Sequence, residues 1–362
     1  MLIADAQCVI PTEDLQADIP FFINTLKMRM ETIYPADDPK VAVFSGHGIS
    51  ICIDKDTSGS PAKINLLVEA PEKFASGKVD LTAPNGTLFK VLQKNPPLIL
   101  PETQHEFVVR RLVDQAPWII GRAGMHYRDL IPNRLGGSII ASHIRIPDGG
   151  PVPDTVHYHT VGFQLIFCYK GWVDLVYEDQ GEPFRLFAGN CVIQPPEIRH
   201  KVLYASDNIE VIEIGVPAEH VTTIDHDMEL PTKEFNPERE FKGQKFVHNK
   251  AKESTWSDFR IPGFICRDTT IADNTQNVAG VQVVKPNGAT IKPSSHNCDI
   301  LFNFVMEGKM TLTASGQSAN ELNSGDAFVI PPNVLTEYSN LSEDLELLEV
   351  SLPGRFKTHY DT

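Results

Sequence analysis

The chain has 362 residues, 41% of them hydrophobic and 22% charged, a composition that suits globular domains and, at this length, two or three of them. Its 47 acidic against 32 basic residues leave a net charge of -15, which repels nucleic acid and anionic lipid at long range. No apolar run approaches the roughly 18 residues of a membrane span, and MLIADAQCVIPTEDL carries an acidic residue where a signal peptide carries basic ones, so a cytoplasmic address is expected.

Residues 1–98 are expected to form the first unit. A short apolar run from Asp5 to Pro11 precedes DLQADIPFFINTLKM, an amphipathic stretch that suits a helix. Strand-like segments follow: RMETIYPADD, KVAVFSG, HGISICID, INLLVEAP and GTLFKVLQ. This β-α-β-β-β order, phrases such as YPADDPKVAVFSGHG and the closing APNGTLFKVL resemble one half-module of the glyoxalase/bleomycin-resistance (vicinal oxygen chelate) superfamily. In that superfamily metal ligands come from the first strand and from the strand after the terminal glycine. Here residues such as Gln7 and Lys90 hold those places, so the resemblance implies a small α+β module without metal, structural or dimerising in role.

From about Pro101 the pattern changes. FVVRRLVDQAPWIIGRAGMHYRDLIP reads as a connector, and beyond it come short β-branched and aromatic runs broken by Gly, Pro, Asn and Asp, the pattern of an all-β barrel or sandwich. The region repeats internally. SHIRIPDGGPVPDTVHYHTVGFQLIFCYKG aligns on VQVVKPNGATIKPSSHNCDILFNFVMEG, and LFAGNCVIQPPEIRH on LNSGDAFVIPPNVLT. Gly171 thereby matches Gly308, Gly189 matches Gly325, and Pro195-Pro196 match Pro331-Pro332. Two barrels in tandem are the simplest reading, with residues 99–223 forming the first and 224–362 the second; the polar stretch from Ile224 to Asn277 joins them and adds strands to one. The six cysteines (Cys8, Cys52, Cys168, Cys191, Cys266, Cys298) lie far apart, with no C-x-x-C pair, and read as small hydrophobes or free thiols.

The first copy carries the chemistry. His157 and His159 are two apart, so on a strand they point the same way. Gln164 on the next strand and His200 after the Pro-Pro turn complete a four-ligand cage for one divalent transition metal, and imidazole suits Zn, Ni, Cu and Fe. This spacing resembles the cupin superfamily, with its motifs G-(x)5-H-x-H-(x)3–4-E-(x)6-G and G-(x)5-P-x-G-(x)2-H-(x)3-N. His157, His159, Gln164 and Gly171 match the first, with Gly150 one residue out of register; Gly189, Pro195 and His200 match the second. Gln164 replaces the family's Glu, Glu197 replaces a Gly, and the closing Asn is not evident. In the second copy the equivalent places hold Ser294, His296, Leu301 and Thr336, with Cys298 nearby, so a metal-free structural barrel is expected there.

The resemblance implies a mainly β bicupin, two jelly-roll barrels behind the α+β module, holding Zn, Ni, Fe or Mn and acting on a small molecule. Neutral Gln164 leaves the dication's charge uncompensated, which favours Lewis-acid chemistry of the lyase, isomerase or hydrolase type on an oxygenated substrate. The rivals are an Fe(II)-dependent dioxygenase of the gentisate/quercetin type and a non-catalytic metal-containing ligand-binding protein. No general base is evident. Arg145 is a weaker candidate, for a substrate carboxylate, with a surface ion pair the plainer alternative. Tyr158 should face away from the metal, Cys168 shares the strand parity of Gln164 and reads equally as lining the barrel or as a small core residue, Trp172 reads as packing, and Gln194 or Glu197 would orient a ligand imidazole. Cupin barrels commonly pair through exposed strands, which implies a homodimer; no nucleic-acid or membrane partner is expected.

Overall fold

The computed structural model describes residues 5–114, 118–121 and 124–360; the connector positions 115–117 and 122–123 and the first four residues lie outside the described residues. The chain divides at Pro97/Leu98 into two compact units. Among the described residues no helix is long and apolar enough to cross a membrane.

The first unit runs β-α-β-β-β and then adds three further strands. Strand Cys8–Pro11 leads to a short helix, Leu15–Pro20, which begins where the Asp14 carboxylate accepts the Gln16 and Ala17 amides. Strands Arg29–Tyr34, Val41–Gly46 and Ile49–Asp54 follow, and Cys8–Pro11 pairs parallel to Ile49–Asp54 at the edge of a four-stranded sheet. Lys63–Val68, Asp80–Thr82 and Leu88–Gln93 make a separate three-stranded sheet. Phe22, Phe44, Phe89 and Ile53 fill the core of this unit.

The second unit is mainly β and holds two barrels. In the first barrel, seven strands run in the order Val247–Asn249, Cys191–Ile193, Phe163–Lys170, Ile209–Val216, Ile140–Ile146, His126–Asp129 and Ile119–Ile120. The opposing sheet runs Phe184–Phe187, Trp172–Tyr177, His200–Ala205, His157–Thr160 and Val221–Ile224. The second barrel repeats the plan. Trp256–Asp258, Phe264–Asp268, Gly280–Pro286, Glu346–Leu352, Ile300–Glu307, Ala327–Ile330 and Val108–Arg110 face a five-stranded sheet.

Two of these strands cross the expected boundaries. Val108–Arg110, read as part of the first barrel's connector, pairs with Ala327–Ile330 of the second barrel. Val247–Asn249, on the far side of the 223/224 boundary, pairs with Cys191–Ile193 of the first. The joining stretch therefore adds strands to both barrels, since Trp256–Asp258 and Phe264–Asp268 belong to the second.

The central strands of the seven-stranded sheets, such as Ile300–Glu307 and Glu346–Leu352, are buried on both faces, which explains their near-continuous apolar sequences. Along Phe163–Lys170 the side chains of Phe163, Leu165 and Phe167 enter a core shared with Phe302, Phe304 and Val350 of the second barrel. Ile166 and Cys168 alternate with them and pack inside their own barrel. Phe264, Leu301, Phe328 and Tyr338 fill the second barrel's interior.

Candidate metal centre

His157 and His159 stand on one face of the strand His157–Thr160, and His200 opens the neighbouring strand directly opposite His157. All three side chains are buried. One nitrogen from each ring lies within 4.8 Å of the others, and the ring centroids are 4.3 Å (His157 to His200), 5.1 Å (His157 to His159) and 5.2 Å (His159 to His200) apart.

Backbone carbonyls set the tautomers of His157 and His200. His157 Nδ1 lies 2.8 Å from the Thr155 oxygen and His200 Nδ1 lies 3.0 Å from the Ile198 oxygen. A carbonyl only accepts, so in each ring Nδ1 carries the hydrogen and the lone pair sits on Nε2, the form a metal requires. His159 Nδ1 contacts the Thr222 hydroxyl at 2.9 Å. The Asp154 carboxylate, buried 3.6 Å from His157 Nδ1, also accepts the Val202 amide at 3.0 Å. Three converging buried imidazoles, two of them with the lone pair on Nε2, are a donor set that fits a divalent transition metal.

Gln164 enters the barrel from the opposite sheet and is buried. Its Nε2 donates to Glu213 Oε1 at 2.6 Å, while its Oε1 is buried without a hydrogen-bond partner. A lone buried amide oxygen is costly in a dry interior unless something coordinates it. This observation fits a fourth ligand.

The other sequence candidates sit elsewhere. Ile144 and Ile146 line the barrel cavity, so the intervening Arg145 faces away from it and donates to Asn208 Oδ1 at 3.0 Å. It is not placed to hold a substrate in this cavity. Tyr158 lies under the Arg199 guanidinium, 4.2 Å from it, and Trp172 stacks on Tyr204 and carries Arg185 on its ring. Cys168 is buried, and burial pushes its thiol up to about 12. Gln194 donates to the Tyr177 hydroxyl at 2.9 Å and Glu197 is ion-paired with Lys242. The Thr155 and Ile198 carbonyls orient His157 and His200.

Two cavity residues were missed from sequence: Glu213 and His220. A cavity of about 350 Å³ joins the three histidines to Glu213, His220, Tyr177 and a wall of branched aliphatic side chains. Burial raises the Tyr177 phenol well above its usual range, so this ring, stacked on His200, stays a neutral wall element. Glu213 lies in IEVIEIGV, where it is the glutamate that shares a face with Val211 and Gly215, and Glu349 occupies the equivalent register in ELLEVSL. Glu213 pairs with Ile166 as Glu349 pairs with Asn303. A carboxylate kept inside both copies was the available signal.

In the second barrel Ser294 pairs with Thr336 as His157 pairs with His200. There the Arg260 guanidinium is bound to the buried Glu349, with Nε 3.2 Å from Oε1. His296 is buried, and burial first, then the charge of Arg260, lowers its imidazole to about 4. An internal guanidinium thus meets the carboxylate in the copy that lacks the three-imidazole cluster.

Residues 280–351, most of the second barrel, match the cupin domain family. No curated protein matches the chain. Among solved structures the chain resembles a single-residue variant of the oxalate decarboxylase from Bacillus subtilis, with a TM-score of 0.52, 14% identity, and coverage of 72% of this chain and 81% of that one. It also resembles an oxalate decarboxylase from Lactobacillus farciminis in a formate complex (TM-score 0.53, 14% identity, 72% and 91% covered). The salicylate 1,2-dioxygenase from Pseudaminobacter salicylatoxidans is similar too (TM-score 0.54, 15% identity, 73% and 90% covered). At these identities the likeness is one of fold, that of a bicupin.

Proposed function

We propose that the first barrel is the metal centre of an enzyme acting on a small oxygenated molecule, with His157, His159, His200 and the Gln164 amide oxygen as ligands. The observation that carries this reading is the buried three-imidazole cluster, with the Nδ1 atoms of His157 and His200 anchored on carbonyls, opening on a cavity of about 350 Å³. A bound divalent metal supplies Lewis acidity toward a substrate oxygen. Glu213 lines the same cavity and is the group suited to accept a proton from the substrate, the general base that sequence could not name. Gln164 holds Glu213 by hydrogen bond, and the apolar walls exclude water around both. An elimination, isomerisation or hydration fits this arrangement.

A second reading, an Fe(II)-dependent dioxygenase, is supported by the three-histidine donor set and by fold similarity to salicylate 1,2-dioxygenase. Metal analysis of protein purified without added metal or affinity tag, beside His157→Ala, tests both. Stoichiometric zinc, nickel or manganese lost in the variant is the expected result; stoichiometric iron lost in the variant, with oxygen uptake on substrate addition, would favour the dioxygenase. No metal in either protein, even after reconstitution, removes the site. On the same footing we place residues 1–98 as a glyoxalase-like module without metal, a homodimeric assembly and a cytoplasmic address.

A further inference from the structure

The cavity wall is built by side chains such as Ile140, Ile144, Ile166, Leu175, Val202 and Val211. Among the described residues no lysine or arginine lines it, and the one carboxylate that does is that of Glu213. A ligand carboxylate that is not on the metal would lose its water beside branched aliphatic side chains, with the Glu213 carboxyl in the same space and no cation among the described lining residues to meet it.

His220 is one of the polar side chains that line the cavity, with Ser142, Thr222, Tyr127 and Gln194. Its Nδ1 lies 3.0 Å from the Pro217 carbonyl oxygen, so Nδ1 donates and Nε2 is the ring nitrogen left for other partners. The ring stands 5.4 Å from that of His159, at 86° to it. Gly215 makes the place for it: a Cβ there would sit 3.0 Å from His220 Cε1 and 3.1 Å from Ile140 Cγ2. The second barrel shows what the fold alone requires at this point. Ser351 holds the register of Gly215, and Phe356, three residues after Pro353 as His220 is three after Pro217, packs its ring 5.8 Å from His296. A phenyl closes the barrel without the histidine cluster; the imidazole accompanies the cluster.

Resting on the metal-centre reading above, we propose that this cavity selects a molecule with an apolar body and a hydroxyl group, that His220 accepts a hydrogen bond from that hydroxyl, and that dicarboxylates are turned away. The test is calorimetric titration of the metal-replete full chain with catechol and with oxalate. Catechol is expected to bind at least about tenfold more tightly than oxalate. His220→Phe, which copies the second barrel, should lose about tenfold in catechol affinity, the scale of one hydrogen bond, and His220→Gln should keep most of it. Metal content and thermal midpoint should stay those of the wild type in both variants. Gly215→Ala, which pushes His220 from its place, should weaken catechol in the same direction. Oxalate binding as tightly as catechol, absence of catechol binding, or unchanged catechol affinity in His220→Phe overturns the proposal. If the wild type holds metal and shows any of these results, the selection fails and the metal centre stands. If catechol binding depends on His220 while neither wild type nor His157→Ala holds metal, the metal-centre reading fails and the selection stands.

Discussion

Gln164 is a neutral amide at a position where the family motif has a carboxylate, and its surroundings explain what that exchange does. Its Nε2 donates to Glu213 at 2.6 Å, and the reversed amide would set oxygen against carboxylate, so the bond fixes which end of the amide faces which neighbour. Gln164→Glu would bring two carboxylates into contact inside the barrel. In metal-free protein this should lower stability by about 2 kcal/mol, since a donor is lost and a like charge gained. Metal should shrink the loss, because an anionic ligand offsets part of its charge. Thermal midpoints with and without chelator check this, and equal midpoints for wild type and variant in chelator would remove the Gln164–Glu213 contact from the account. Arg145 shows the opposite case, where a residue of suitable chemistry faces the wrong way. One strand position moved it from the cavity, which Ile144 and Ile146 line, to a hydrogen bond with Asn208.

At the scale of elements, the glycines that mark the repeat are turn positions that side chains resist. Gly171 and Gly308 have φ of 75° and 73° and stand between the long strand of the seven-stranded sheet and the next strand opposite. The same hydrogen bond crosses both turns: Ala188 N–H donates to the Gly171 carbonyl at 3.0 Å and Ser324 N–H to the Gly308 carbonyl at 3.1 Å. A Cβ at Gly308 would lie 2.8 Å from Leu345 Cα, whereas at Gly171 the nearest backbone atom, Ile209 Cα, is at 3.3 Å. The left-handed conformation alone costs an L-residue about 1–2 kcal/mol, and the closer backbone adds to it at Gly308. Gly308→Ala should therefore destabilise more than Gly171→Ala, by urea midpoint. The reverse order would show that the first barrel has less room to relax. The spacing of Gly171, Gly189 and Pro195 was legible as a repeat because turns demand particular residues locally.

Across the whole second unit, the two barrels share a core and exchange edge strands. Phe304 of the second barrel is fully buried among His143 and Tyr169 of the first, with ring centroids 5.6 and 5.1 Å away. Tyr169 also donates its hydroxyl to the Met306 carbonyl at 2.7 Å. Truncating a buried phenylalanine costs about 3–5 kcal/mol. Phe304→Ala should lower the urea midpoint for loss of β circular dichroism and the midpoint for metal release together, although the residue belongs to the barrel without the cluster. Metal release at an unchanged midpoint would show that the first barrel holds its shape independently.

Sequence by itself determined the mainly β architecture, the tandem repeat, and the grouping of His157, His159 and His200, because each rests on a local rule: the alternation of a strand, the conformation of a turn, a spacing repeated twice. Gln164 was legible as an inward residue for the same reason. Glu213, His220 and the facing of Arg145 were decided only by the tertiary structure. Glu213 reaches Gln164 from 49 residues away through strand pairing, His220 reaches the cavity through the gap left by Gly215, and the PDGGPVPD turn broke the parity count that would have placed Arg145. The crossing of Val108–Arg110 and Val247–Asn249 between barrels was hidden for a related reason. An edge strand takes its partner from whichever sheet edge lies in reach, and that depends on the packing of the whole molecule rather than on the residues of the strand.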